Sequence, residues 1–373
     1  MSRTLPLRHS RRPQVLVPEQ IREFRARLLA WFDIHKRDLP WRRTRDPYAI
    51  WVSEIMLQQT RVAAVLDHYT RWMARFPTLE ALAAAAEDEV LAAWSGLGYY
   101  RRARFLHQAV KVVAAEHHGN VPRTAAELRK LPGIGAYTSA AIASIAFGEP
   151  AAVVDGNVER VLLRQIGGGE PGSDFNAAKG ARKGEVVLRS DDIQNLATEL
   201  LEPARAGDYN QAMMELGATV CLPRNPMCLQ CPVQGPCRTR GEHPTTARKP
   251  PISVDIGYAL FKRQKGDADE FLLTQRDAGA TVMPGMWELP LLESWPTDEK
   301  PLLTLRHAIM QTNYRVKVVD RSQTATRSKH LATAGVEGRW FDRNDLRGLP
   351  LTGLARKILL RLGVLLPARD SDS

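Results

Sequence analysis

The sequence predicts a mainly helical domain followed by a small α+β domain. Three observations carry this. Apolar residues recur at helical spacing from about Pro18 to Thr219. All four cysteines fall in one short segment, 221–237. Beyond a polar linker the apolar period changes from that of a helix to that of a strand.

Taken in order, residues 1–17 read as a basic flexible tail, and residues 18–220 as the helical domain. Helices are expected over 19–35, 48–59, 60–75, 87–95, 101–118, 125–131, 136–147, 156–166 and 208–219, with another near 192–202. Residues 167–190 break the pattern with Gly167-Gly168-Gly169, Pro171-Gly172 and a Lys/Arg-rich run, which predicts a surface insertion. The cysteine loop occupies 221–237 and a linker 238–251. Residues 252–365 form the second domain, with strands expected at 252–261, 270–274, 302–308, 314–319 and 339–341 and a helix at 352–362. A short tail, 366–373, follows.

The 373 residues amount to two or three domains at roughly 100–200 residues each. Lys and Arg total 52 against 41 Asp and Glu, a formal charge of +11, which points to a polyanion such as nucleic acid. Membrane insertion is not expected. The most apolar stretch, Ser139 to Val154, is interrupted by Gly148, Glu149 and Pro150, and a span needs roughly 20 apolar residues. Met1 to Arg12 is basic without a following apolar run, so no secretory signal is expected.

The cysteines read Cys221-x6-Cys228-x2-Cys231-x5-Cys237. A disulfide framework spreads its cysteines over the domain it staples. Four thiols in one Pro-punctuated segment suit a metal site in a reducing compartment, the cytoplasm. Zinc and an iron–sulfur cube would both accept four thiolates; with only one close Cys pair, the spacing leans toward the cube.

Three further segments carry chemistry. In Leu131-Pro-Gly-Ile-Gly-Ala-Tyr-Thr138 one helix ends and another starts. Gly133 and Gly135 let backbone amides approach an anion at the new helix's N-terminus. In Val153-Val-Asp-Gly-Asn-Val158 an apolar run ends in Asp155, placed as an N-cap, where amides and helix dipole favour the ionised carboxylate. In Trp51-Val-Ser-Glu-Ile-Met56, Glu54 sits among apolar neighbours that favour its protonated form, that of a general acid. One carboxyl kept protonated and one kept ionised is the logic of glycosidic-bond cleavage through an oxocarbenium-like transition state.

LPGIGAYT, VDGNVERVL and the cysteine segment resemble the helix-hairpin-helix DNA glycosylases that carry a [4Fe–4S] cluster. PWRRTRDPYAIWVSEIMLQQT, GLGYYRRAR and YNQAMMELGA resemble the MutY-type branch, the adenine DNA glycosylases. The resemblance covers about residues 20–240 and continues more weakly into a Nudix-like C-terminal domain, through Met283-Pro-Gly-Met-Trp-Glu-Leu-Pro290. It implies a monomeric enzyme of the bacterial cytoplasm that excises adenine mispaired with 8-oxoguanine or guanine in duplex DNA.

Residue by residue, the resemblance implies that Glu54 protonates adenine and helps activate water, and that Asp155 stabilises the sugar cation. Tyr137 and Asn157 orient the site. Arg42 and Gln211 line the adenine pocket. Gln59, Thr60, Leu97 and Tyr99 touch the DNA, with Tyr99 as the wedge, and Gly133 and Gly135 grip a phosphate. Cys221, Cys228, Cys231 and Cys237 ligate the cluster. Bifunctional members of the related endonuclease III branch place a Schiff-base lysine where Tyr137 stands, so strand cleavage is not expected. A thymine-mismatch glycosylase, which also carries Tyr there, is the alternative enzyme, and a non-catalytic iron–sulfur DNA-binding protein the alternative without chemistry.

Two departures stand out. Where the family has a Phe-Ser-His triplet that contacts the oxidised guanine, this chain has Ile309, Met310 and Gln311, leaving Gln311 as the candidate for that contact. The Nudix pyrophosphatase helix is also missing after Gly285, so nucleotide hydrolysis there is not expected.

Overall fold

The structure, a computed structural model, describes residues 16–167, 190–242, 250–277, 279–280, 282–293, 299–309, 311–322 and 338–366. The expected insertion at 167–190 lies outside them except for its two end residues. Met310, residues 1–15 and most of the C-terminal tail also lie outside. The chain divides into two compact units, each discontinuous in sequence: Met1–Ile55 with Asn120–Thr246, and Met56–Gly119 with Ala247–Ser373. The region read as one helical domain is thus shared between them.

The first unit contains α1 (Pro18–His35), most of α2 (Pro47–Leu57), α7 (Ala125–Leu128), α8 (Ala136–Phe147), α9 (Gly156–Ile166), α10 (Ser190–Leu200) and α11 (Ala206–Thr219). Its main core joins Phe24, Leu28 and Phe32 of α1 to Val158, Val161 and Leu162 of α9 and to Leu196, Met213 and Leu216. Leu16, read from sequence as tail, is 6% exposed within this core. An apolar residue just before a helix gains more by burial than a flexible tail could offer.

Every residue from Tyr48 to Met56 in α2 is buried. Such a helix has no solvent face, and its run of Ile50, Trp51, Val52, Ile55 and Met56 explains why. In α8 the small residues of Thr138–Ile145 are likewise all buried. The helix stops at Gly148 in the left-handed region (φ 75°), where the amide of Glu149 bonds back to Ala143 O at 3.1 Å.

The second unit holds α3 (Val62–Arg75), α4 (Leu79–Ala84), α5 (Glu87–Ala93) and α6 (Arg101–Glu116), centred on Trp72 and Trp94, whose rings meet edge to face at 5.5 Å. The sequence pattern does not predict helix α4. Its short run of Leu and Ala is too brief for a period to emerge, and Thr78 starts it by accepting from the Ala81 amide.

The unit's β-region contains β1 (Ile252–Leu260), β2 (Lys262–Lys265), β3 (Ala268–Gln275), β4 (Trp287–Glu288), β5 (Leu303–Ile309), β6 (Thr312–Asp320) and β7 (Arg339–Asp342), followed by α12 (Gly353–Arg361). One sheet runs β1-β6-β5, with β1 parallel to β6; in the other, β3 pairs with β2, β4 and β7. Helix α12 buries Leu354, Ile358 and Leu359 with Val316, Val318 and Phe341. This β-region packs on the helices of its own unit: Tyr100 Oη donates to Leu351 O at 3.1 Å, and Arg104 Nη2 to Pro284 O at 2.6 Å.

Helix α11 approaches α8 closely because Gly207 has no side chain. A Cβ there would lie 2.6 Å from Ser144 O and 2.9 Å from Ile145 Cα, both backbone atoms of α8. Gly207→Ala is therefore expected to destabilise the chain by about 1–3 kcal/mol, read as a lowered thermal midpoint. An unchanged midpoint would mean that the two helices can part without cost.

Candidate active site

The site begins with the turn between α7 and α8. Gly133 (φ 72°) reverses the chain, and extended Gly135 caps α8. Both glycines are exposed, whereas Ile134 between them is 7% exposed and anchors the turn. Tyr137 follows in the first turn of the helix, with its side chain directed inward.

Tyr137 Oη donates to Glu54 Oε2 at 2.6 Å, with Met214 Sδ 3.3 Å from the same hydroxyl. Glu54 is 4% exposed on the all-buried helix α2. Burial pushes its carboxyl up to about 7; the Tyr137 hydrogen bond opposes this, the charge of Asp155 adds to it, and Arg42 opposes it more weakly. Burial likewise pushes the Tyr137 phenol well above its ordinary value, with Glu54 next in effect, so its proton stays in place as a donor.

Asp155 caps α9. Its Oδ1 accepts from the amides of Asn157 (2.9 Å) and Val158 (2.7 Å), and its Oδ2 from Asn157 Nδ2 at 3.1 Å. Asn157 is in turn held by Arg160 Nη2, which donates to Asn157 Oδ1 at 2.8 Å and to Gly217 O at 2.7 Å, while Arg160 Nε donates to Cys221 O at 2.9 Å. Gly217 is needed for this packing: a Cβ there would stand 2.6 Å from Asn157 Cβ. The structure thus brings Glu54, Tyr137, Asp155 and Asn157 into one electrostatic and hydrogen-bonded group. Sequence reasoning misses Arg160, within the VDGNVERVL motif, because its spacing along α9 does not reveal its partners.

Arg42 Nη2 donates to Glu215 Oε2 at 2.8 Å, and Arg37 grips the same carboxylate through Nε and Nη2, each at 2.7 Å. Burial pushes Glu215 up, but the bonds from Arg37 and Arg42 outweigh it and hold the carboxyl at about 2. Sequence reasoning finds Arg42 but not Glu215, the residue that fixes it. Gln211 lies half-buried one turn before Met214 and Glu215, at the spacing that puts the three on one face of α11.

Beyond α11 the chain turns back at Cys221, whose amide bonds to Leu216 O at 2.7 Å. Cys221, Cys228, Cys231 and Cys237 are free thiols lining one pocket, together with Arg164, Leu216, Val220 and Pro226. Arg164 Nη1 lies 3.3 Å from Cys221 Sγ. Among the described residues no three Cys, His, Asp or Glu side chains converge as ligands of a single ion. Four thiols on one pocket beside a buried arginine suit a negatively charged thiolate-bound group.

In the second unit, Gln59 is exposed, Thr60 half-buried and Tyr99 48% exposed. Leu97, assigned from sequence to the same surface, is turned inward at 6% exposure, because its apolar side chain supports the Gly96–Tyr99 turn from beneath. Gln311 is exposed at the tip of the β5–β6 hairpin, where Ile309 pairs with Thr312; Ile252 N donates to its carbonyl at 2.8 Å.

The model of the HhH-GPD superfamily base excision DNA repair proteins matches residues 52–172. The adenine DNA glycosylase of Homo sapiens is 50% identical over 231 residues, spanning 59% of this chain and 40% of the human protein. That of Schizosaccharomyces pombe is 33% identical over 344 residues, spanning 75% of this chain and 72% of that protein. Among solved structures, a thermostable thymine-DNA glycosylase is similar with a TM-score of 0.51 and 30% identity, spanning 60% of this chain and 97% of that one.

The tuning of Glu54 has a consequence for stability. Its folded-state pKa lies above the unfolded value of 4.5, so its contribution is fully present below pH 4.5 and is lost as pH rises through about 7. Glu54→Gln removes this dependence. Its stability relative to wild type should rise by roughly 3 kcal/mol between pH 4.5 and pH 8, since each tenfold change in proton affinity is worth about 1.4 kcal/mol. Chemical denaturation of both proteins across that range is the measurement. A difference that stays flat with pH would place Glu54 in contact with water.

Proposed function

We propose, from the fact that this chain belongs to the adenine DNA glycosylase family, that it hydrolyses the N-glycosidic bond of adenine opposite 8-oxoguanine or guanine in duplex DNA. The observation that carries the reading is a buried Glu54 poised near neutrality, hydrogen-bonded to Tyr137 and within the field of Asp155.

As the bond between C1′ and adenine N9 breaks, its electron pair leaves with the base. The Glu54 carboxyl donates its proton to adenine N7, so the base departs neutral. Positive charge develops on the sugar, and the Asp155 carboxylate, held by three N–H donors, stabilises it. Water then adds to C1′ and gives its proton to the Glu54 carboxylate, which restores the acid. Tyr137 keeps Glu54 in place and has no amine with which to form a Schiff base, so base release occurs without strand cleavage. Arg42, fixed by Glu215, and Gln211 line the adenine pocket in this reading. Gln59, Thr60 and Tyr99 contact DNA, Tyr99 as the wedge, and the exposed turn at Gly133 and Gly135 takes a phosphate. Gln311 is the candidate contact to the opposite base.

Cys221, Cys228, Cys231 and Cys237 would hold a [4Fe–4S] cluster, which when bound cross-links the loop after α11 and is available for electron transfer. We read the C-terminal sheets and α12 as Nudix-like and the protein as a cytoplasmic monomer. The alternative substrate, thymine opposite guanine, is favoured by the resemblance to the thymine-DNA glycosylase structure.

Single-turnover base release on duplexes with A opposite 8-oxoguanine, A opposite G and T opposite G tests the reading. Release from the adenine duplexes is expected, with Glu54→Gln slower by on the order of 100- to 10,000-fold at unchanged DNA affinity. Because Glu54 acts in its protonated form, the rate should fall about tenfold per pH unit above about 7. Borohydride should trap little enzyme–DNA adduct. Faster release of T would transfer the assignment to the alternative, and near-wild-type release by Glu54→Gln would remove Glu54 from the chemistry.

Anaerobically purified protein is expected to contain about four iron atoms per chain and to lose them on Cys→Ala substitution at any of the four positions. One zinc ion per chain without iron would overturn the cluster.

A further inference from the structure

We propose that Arg102 is a positioning residue for the DNA-facing surface, one guanidinium that locks the Gln58–Thr60 and Leu97–Tyr99 turns in the shape that presents Gln59 and Tyr99. This rests on the assignment of Gln59 and Tyr99 as DNA contacts. Both turns and Arg102 lie within the second unit.

Arg102 Nη1 donates to Met56 O at 3.1 Å and to Gln58 O. Its Nη2 faces Thr60 Oγ1 (3.2 Å), Leu97 O (3.1 Å) and Gly98 O (3.2 Å). Four oxygens from two turns far apart in sequence, with a fifth from the end of α2, thus converge on one side chain. The same guanidinium sits over the ring of Tyr99 at 5.6 Å and that of Trp94 at 5.3 Å. The wedge ring is therefore supported from within.

The turns need such a device because their key residues have an unfavourable backbone. Gln59 has φ 56° and Tyr99 φ 48°, the left-handed region that favours glycine. Residues held there persist when the surroundings over-determine them, and they concentrate at working sites. Of the six described non-glycine residues with positive φ, Gln59 lies between two partners of this arginine and Tyr99 has its ring against it. Arg102 also stands in the first turn of α6, where the helix dipole disfavours a cation. The ring of oxygens offsets that cost. Burial pushes its pKa down to about 10, with Tyr99 raising it, so the group remains charged at neutral pH. A lysine could keep the charge but not the planar fork that reaches both turns.

The test uses the full-length protein and two duplexes: one with the target adenine mispaired, the other with it opposite an abasic site, where it has no pairing partner to lose. Arg102→Lys should slow single-turnover base release from the mispaired duplex by roughly tenfold to a hundredfold, the scale of a misplaced contact surface. On the unpaired duplex the loss should be under about threefold, because opening costs less there. The pH midpoint of the rate should not move. In a Glu54→Gln background, fluorescence of 2-aminopurine at the target position reports opening without chemistry, and Arg102→Lys should reduce it. Arg102→Gln, whose amide can reach one turn but not both, should show the same substrate dependence and serves if Arg102→Lys does not fold. Equal losses on both duplexes, or an unchanged opening signal, would overturn the positioning role. Absence of base release by the wild-type protein would instead overturn the activity, and the opening signal would still decide the role of Arg102.

Discussion

The structure depends on removing one carboxyl group from water. Helix α2 buries every residue from Tyr48 to Met56, so Glu54 has no route to solvent along its own helix and only the polar groups aimed at it to meet its needs. The hairpin turn supplies one, the hydroxyl of Tyr137 at 2.6 Å. Because Tyr137 lies one residue past the first of α8, the geometry of the Gly133–Gly135 turn decides where its hydroxyl lands. A shift of that turn would take this partner away from Glu54. Residues Thr138 to Ile145, small and buried, hold the helix against such a shift.

Arginine is the second recurring device. The +11 formal charge reads in the sequence as an external field for a polyanion. Several of the cations that compose it are spent inside the protein. Arg37 and Arg42 clasp Glu215; Arg160 joins the Cys221 and Gly217 carbonyls to Asn157; Arg164 holds the carbonyls of Leu222 and Pro223; Arg102 gathers two turns. A planar guanidinium with five N–H donors can satisfy backbone carbonyls that no helix or strand engages, which is what irregular segments at a working site require. Net charge therefore overstates the external field of the molecule.

Legibility followed the range of the interactions. Glu54 was readable because its environment is written in its immediate neighbours, Trp51, Val52, Ile55 and Met56. Asp155 was readable because capping is local, and the four cysteines because they are close together in the chain. Glu215 and Arg102 were not singled out. Each sits in an ordinary helical stretch, and its role is set by partners brought in by folding, Arg37 lying 178 residues from Glu215. Strand β2, four exposed residues of Lys, Arg and Gln, has no buried face and so no period to detect. Strand β4 is only two residues long. Leu97 illustrates the converse: motif position suggested a surface, and its apolar side chain turned inward.

Two buried glutamates of the same unit show how the partners of a carboxyl decide its protonation. Burial raises both. Glu215, 1% exposed at its side chain, meets two arginines that together donate through three guanidinium nitrogens, and it is held at about 2. Such a group is ionised at neutral pH and anchors Arg42. Glu54 meets a neutral phenol and a second carboxylate, so burial prevails and leaves it at about 7. Arg42, engaged by Glu215, acts on Glu54 only as the weakest of four influences. The same burial thus leaves one carboxyl ionised and the other near neutrality, and the difference lies in the partners that the fold brings to each.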